Sequence, residues 1–229
     1  MDAADWQDLG THFYIRGEKE KAFAAFSRTP VEWPTHNINI AQCLADMGSL
    51  PDALAYADLA VERFRFNPDA YQIRGYVLER QGKFEEAREA YSKALEINPN
   101  STECYRNCAH INRSLGDYDA AITLYKTALA LDPSDFTARL HLSMVQLLVG
   151  QWEEGLNNHE IRLAFYNPLP RNGKPAWDGS DLAGKTIALF AEQGLGDTIQ
   201  FVRYASVLRD KLNAEKVILY CQDPLYRLM

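Results

Sequence analysis

The sequence predicts a mainly α-helical chain: an α-solenoid of about five helix pairs, followed by a short β-α-β fragment. Three observations predict it. Gly48, Gly82, Gly116 and Gly150 recur every 34 residues, with Gly17 standing 31 before Gly48. Small and aromatic residues keep fixed distances from these glycines. The period then stops near residue 168, where a strand, a glycine-rich turn, a helix and a second strand follow. A fixed period of this length marks stacked repeats, because one helix pair cannot bury its own apolar face.

Each column has a physical reason. The glycine ends the first helix of a pair, where the chain needs a left-handed residue. Five residues later stand Ala22, Ala53, Ala87, Ala121 and Gly155, small enough to let two helix backbones approach. Nine residues after the glycine come Phe26, Ala57, Tyr91, Tyr125 and His159, of which the aromatic members fill the space between one pair and the next. Ala60, Ala94 and Ala128 continue the small set. Pro34, Pro99 and Pro133 lie 17 past their glycines and are expected to close the second helix. In the second unit, VERFRFNP separates Ala60 from Pro68, where LEINP separates Ala94 from Pro99. That predicts a second helix one turn longer, with Pro68 opening the next. The fifth unit puts Gly155, His159 and Arg162 in the small and aromatic columns, as a capping or docking unit would.

These columns are similar to the tetratricopeptide repeat signature. Trp6, Leu9, Gly10 and Phe13 ahead of Gly17 carry its opening, and GYVLERQGKFEEAREAYSKALEINP and AHINRSLGDYDAAITLYKTALALDP match it over nearly their whole length. The resemblance implies a repeat superhelix over residues 1–166 whose first helices line a concave face. Asp8, Asn39, Ile73, Asn107 and His141 lie nine residues before the glycines; Thr11, Gln42, Tyr76, His110 and Met144 lie six before. Asparagine both donates and accepts, which suits a peptide main chain, and repeat proteins of this family grip peptides with asparagines in this column. Asp8, Asn39, Tyr76, Asn107, His110 and His141 are therefore the candidate peptide-binding residues, and a peptide or protein is the expected partner. A clamp of converging cations for a terminal carboxylate is disfavoured. Only Arg80, Arg106 and Arg113 are placed for it, among acidic Asp8, Asp69, Glu79 and Glu103.

Pro168, Pro170 and Pro175, with Gly173, Gly179 and Gly184, mark a linker over residues 167–183. Residues 184–229 form the second unit. KTIALFA reads as a buried strand. Asp197 to Leu212 reads as one amphipathic helix, with Phe201, Ala205, Leu208 and Leu212 on its apolar face, and VILYC as a second strand. Gly194 and Gly196 would let a ligand approach the backbone near the helix start, with Asp197 also suited to capping that helix. The turn lacks the third glycine of a dinucleotide fingerprint and the Lys-Ser/Thr pair of a P-loop, so no cofactor is expected.

The run WDGSDLAGKTIALFAEQGLGDTIQFVRY looks like the junction at which tetratricopeptide repeats lead into a bacterial heptosyltransferase-like glycosyltransferase domain of two Rossmann-like halves. That resemblance implies a Rossmann-like fragment here, a ligand-binding turn at Gly194, Gly196 and Asp197, and Asp197 as general base in a full-length enzyme. The chain as given holds no donor-binding half, so the first expectation is an interaction scaffold. The alternative is the substrate-recruiting front of a protein glycosyltransferase acting on a target such as flagellin, with a nucleotide-sugar donor.

Composition limits other classes. The formal net charge is −7, from 24 basic and 31 acidic residues, which disfavours non-specific nucleic-acid binding. No apolar run approaches the ~18 residues of a membrane-spanning helix, and MDAADW lacks the basic flank of a signal peptide. The four cysteines are too few for a disulfide framework. Cys104 and Cys108 share a helix face, and His110 does not complete a zinc set with them. A cytoplasmic protein with free thiols is expected, with self-assembly through the C-terminal segment as a further alternative.

Overall fold

A computed structural model describes residues 2–164, 175–191 and 194–227. The linker residues Pro168, Pro170 and Gly173, and Tyr166 at the expected repeat boundary, lie outside the described residues. The chain divides into two compact units, residues 1–161 and 162–229. Each is taken by itself.

The first unit contains α1 (Ala3–Ile15), α2 (Lys19–Phe26), α3 (Pro34–Asp46), α4 (Leu50–Arg63), α5 (Pro68–Arg80), α6 (Phe84–Ile97), α7 (Thr102–Leu115), α8 (Tyr118–Leu131), α9 (Phe136–Leu148) and α10 (Trp152–His159). A 3₁₀ turn begins at Glu160. Each helix packs on its neighbours in sequence, and α3 also meets α5 as α7 meets α9. The result is the helix-pair stack that the period predicts.

All five spacing glycines have left-handed backbone, φ +76° to +88°. The residue after each donates its N–H to the carbonyl five positions back, as Lys83 does to Leu78 at 3.0 Å and Asp117 to Asn112 at 2.9 Å. This is the Schellman closure of a helix end, which satisfies carbonyls otherwise left open. Helix starts are treated as regularly. Asn67, Ser101 and Asp135, again 34 apart, cap α5, α7 and α9 by accepting backbone N–H bonds on their side chains. Each such cap is worth about 1 kcal/mol.

The small columns are the joints of the stack. Ala22, Ala53, Ala87 and Ala121 are completely buried, and Ala60, Ala94 and Ala128 nearly so. Tyr91 and Tyr125 are completely buried between pairs. A further column, seven before the glycine, holds Gly10, Ala41, Gly75, Ala109 and Ser143, all buried. The cysteines Cys104 and Cys108 are core groups packed with Tyr91 and Ile111; burial pushes the Cys104 thiol up to about 12.

Two expectations about proline are corrected. α4 is not a turn longer than its counterparts: α4, α6 and α8 each have 14 residues, and four residues follow each before the next helix. Pro68 stands at the first position of α5, three columns beyond the post-helix prolines Pro99 and Pro133, and the two spacings are not equivalent. Pro34 likewise opens α3 and does not close α2, which is only eight residues long.

The second unit contains β1 (Thr186–Phe190), α11 (Leu195–Phe201), α12 (Tyr204–Asp210) and β2 (Lys216–Tyr220). The strands pair in parallel from Thr186 opposite Lys216 to Phe190 opposite Tyr220. Leu182, Ile187, Leu208 and Ala214 form its small core. The expected single helix from Asp197 to Leu212 is corrected to two. Val202 and Arg203 remain right-handed, yet Ala205 donates to Val202 in a tighter 3₁₀ bond that breaks the α pattern. Among the described residues the sheet has two strands, so the Rossmann-like expectation reaches no further than this small parallel unit.

Candidate functional site

The residues nine and six before each glycine fall on one face of the first helices because three residues make nearly one turn. The structure brings several of them together. A groove of about 500 Å³ crosses α1, α3, α5 and α7, lined by Tyr14, Ile38, Gln42, Ile73, Tyr76 and Asn107, with Asp69, Gln72 and Glu103 at its wall. Tyr76 and Asn107 thus share one site. Asn39 lies on the same face of α3, half-buried, and its amide nitrogen has no hydrogen-bond partner among the described residues. Asp8 is exposed on α1, and neither it nor Asn39, His110 or His141 is among the groove-lining residues.

Asp46 organises the floor at one end. Its Oδ2 accepts from the Tyr14 hydroxyl at 2.6 Å and from Gln42 Nε2 at 3.3 Å; its Oδ1 accepts from the Tyr76 hydroxyl at 2.5 Å and from Arg80 at 3.4 Å. Burial pushes this carboxyl up, and the hydrogen bonds from Tyr14, Tyr76 and Gln42 with the charge of Lys19 outweigh it, so the group stays below the usual carboxylate range. Burial and the Asp46 carboxylate together raise the hydroxyl pKa of both tyrosines.

A second cluster lies further along. Glu79 accepts from the Tyr91 hydroxyl at 3.1 Å and pairs with His110 Nδ1 at 2.8 Å. His110 stacks on His141 with ring centroids 6.1 Å apart, and the Tyr125 ring meets His141 edge-on at 6.0 Å. Burial first, then Arg113, His110 and Arg106, push His141 down to about 4, against a smaller opposing effect of Asp135. Two of the three arginines are engaged: Arg80 with Asp46, and Arg106 with Asp135 at 2.7 Å. Among the described residues no carboxylate pairs with Arg113.

Sequence reasoning missed Asp46, Tyr14 and the pairing of Glu79 with Tyr91. Asp46 sits one helical turn after Gln42, which the face pattern does select, and that spacing is the signal that could have found it.

In the second unit, α11 begins at Leu195 with Gly194 as its N-cap, and no side chain caps it. The expected capping role of Asp197 is therefore corrected: it stands in the first turn, exposed. Gly194 has φ −63°, and a Cβ added at Gly196 would meet nothing within 4 Å. Neither glycine is required here by a positive φ or by crowding. Glu192 and Gln193 of the turn lie outside the described residues.

Comparison with known proteins agrees with the repeat geometry. Two family models described as "Tetratricopeptide repeat" match residues 69–134 and 112–157. The chain carries tetratricopeptide repeats. Among solved structures, the tetratricopeptide repeat protein TTC0263 of Thermus thermophilus aligns with TM-score 0.64 at 21% identity, over 71% of this chain and 91% of that one. The "APC/C hetero-tetramer Cut9-Hcn1" aligns with TM-score 0.65 at 20% identity, over 74% of this chain and 34% of that one. Protein FlbA of Caulobacter vibrioides is 27% identical over 185 residues, covering 77% of this chain and 30% of FlbA. The mouse N-alpha-acetyltransferase 16, NatA auxiliary subunit, is 29% identical over 125 residues, 55% of this chain and 14% of that protein. The chain thus spans less than a third of these two relatives. The matched family models end at residue 157, before the second unit begins.

Proposed function

We propose that the chain is a protein-interaction scaffold that holds an extended segment of a partner along the concave face of its repeats. The observation that carries this is the groove across α1, α3, α5 and α7, floored by fixed tyrosines and edged by Asn107. Asn39, on the same face of α3, adds a buried amide donor with no partner among the described residues, which a peptide carbonyl would satisfy once the side chain turns outward. The partnership named for Cut9–Hcn1 and for the auxiliary subunit of NatA fits a scaffold role, and the same role is proposed here. The setting proposed is the cytoplasm, where the buried thiols stay reduced.

The test uses peptides selected from a displayed random library against the intact chain, with affinity read by fluorescence polarisation. Asn39→Ala with Asn107→Ala should weaken them by about tenfold or more, each lost hydrogen bond contributing around 1 kcal/mol, while the melting curve stays in place. Unchanged affinity would remove the concave-face reading.

A second reading makes the chain the recruiting front of a glycosyltransferase, with Asp197 as general base beside Gly194 and Gly196. One observation favours it: β1 and β2 pair in parallel across a helical crossover that starts at the GLGD turn. Calorimetric titration with nucleotide sugars would give a binding heat under this reading and none under the first. Self-assembly along the open edge of the two strands is a third arrangement, and light scattering reads it directly.

A further inference from the structure

We infer that α7, α8 and α9 carry, beyond the residues that line the groove, a subsite for a side-chain carboxylate of the bound peptide, formed by Arg113, His141 and the hydroxyl of Tyr125. This rests on the scaffold reading above and names the chemistry of the occupant at one position.

The argument comes from comparing two successive repeats, position for position, at the 34-residue offset. In the first, Glu79 accepts from the Tyr91 hydroxyl and from His110. In the next, Tyr125 repeats Tyr91, but Arg113 takes the place of Glu79 and the exposed Met144 takes the place of His110. The acceptor has been exchanged for a cation while the donor has been kept. Tyr125 is completely buried, and its hydroxyl has no partner among the described residues; neither has His141 Nδ1 beside it. A donor buried without an acceptor is costly and is seldom retained without a use.

The larger charges acting on this pair are positive, against Glu79 at Tyr125 and Asp135 at His141. Arg113 and Arg106 both act on Tyr125 and on His141. Arg106 is already neutralised by Asp135, which leaves the Arg113 charge uncompensated. The groups facing His141 are Arg113, His110, Arg106, Asp135 and Tyr125. The missing element is an anion with at least two acceptor oxygens. A carboxylate supplies one oxygen to the arginine fork and one to the tyrosine hydroxyl, as Glu79 does internally for Tyr91 and His110. The groove across α1, α3, α5 and α7 is itself acidic, with Asp69 and Glu103 in its lining, so the acidic residue of a ligand is directed beyond it, to Arg113. The hydroxyl is covered in the free protein. The incoming carboxylate therefore engages the part-exposed Arg113 first and reaches Tyr125 as that side chain swings outward.

The experiment is an NMR titration of histidine-labelled intact chain at pH 7 with acetyl-Gly-Glu-Gly-amide, and in parallel with acetyl-Gly-Gln-Gly-amide. The glutamate peptide should shift the His141 ring signals saturably and bind about tenfold more tightly than the glutamine peptide, the expected worth of a charge-assisted pair. Tyr125→Phe should weaken the glutamate peptide without lowering the melting temperature, because it removes an unpaired hydroxyl. Arg113→Glu should abolish that binding and raise the melting temperature, by giving Tyr125 the acceptor that Tyr91 has. Equal binding of the two peptides, no shift at His141, or full binding to the Arg113→Glu protein would each overturn the subsite. These tripeptides do not span to Asn39, so loss of the subsite and loss of the wider groove are read by separate measurements.

Discussion

Gly75 on α5 and Tyr91 on α6 fit each other as hole and plug: a Cβ placed on Gly75 would come within 2.8 Å of the tyrosine ring. The same match recurs between Gly10 and Phe26 at 2.5 Å, whereas Ala41 accompanies the small Ala57 one unit later. The fourth unit instead sets Ala109 in the column of Gly75 beside a buried Tyr125, so the hole-and-plug fit belongs to the first and third units. Packing at this joint is decided by a pair of positions and not by either alone.

Gly75→Ala is expected to destabilise the chain. The helix-propensity gain of up to ~1 kcal/mol is smaller than the ~1–3 kcal/mol cost of overpacking a ring that is completely buried. Urea denaturation should show the loss, and adding Tyr91→Leu should cost less than the sum of the two single changes, since the residues touch.

Gly82→Ala is the same chemical change with a different cause. Gly82 has φ +76° and open space around it, so the cost is backbone strain of about 1 kcal/mol with no clash. Gly82→Asn should recover part of it, because asparagine tolerates this region better. No change at a distant core position should couple to Gly82, and a thermal melt of each combination checks this.

Asp46→Ala should cost about 0.5–1.5 kcal/mol for each hydrogen bond lost from the half-buried hydroxyls of Tyr14 and Tyr76. Adding Tyr14→Phe and Tyr76→Phe should restore part of the stability lost. A chemical melt of the single and triple variants reads the difference.

Acid should weaken the fold in two separate windows. His141 is held down to about 4 from 6.5, so the unfolded chain binds its proton more readily, and stability falls as pH drops from 6.5 towards 4. Asp46 is also depressed; its contribution is present above the ordinary value of 3.8 and is lost as pH falls through its lower folded value. His141→Gln should reduce the first window, to which His36, also lowered by burial, contributes as well, and leave the second in place, as measured by melting temperature against pH.

The joints of the stack were legible because repetition reports them several times over: Ala53, Ala87 and Ala121 are one physical requirement stated three times. What occurs once was hidden. Asp46 has Arg80 and Ser114 as its counterparts in later units, so no column announces it, and its partners Tyr14 and Tyr76 come from helices on either side. The break between Phe201 and Tyr204 was hidden for another reason: the apolar spacing of Phe201, Ala205 and Leu208 continues through a single 3₁₀ bond. VERFRFNP misled because two prolines with different jobs, Pro68 starting a helix and Pro99 following one, stand three columns apart yet read as one column.

The starts of α4, α6, α8 and α10 fall at residues 50, 84, 118 and 152, and those of α5, α7 and α9 at 68, 102 and 136. Cutting after Lys83 and after Asp117 therefore frees a segment whose two ends meet neighbours at equivalent positions. Such a segment can be copied in tandem, or deleted, with every cap and closing glycine still in phase. Gene duplication has here a ready means of changing the length of the trough, and with it the number of residues of a partner that it grasps, without inventing a new interface.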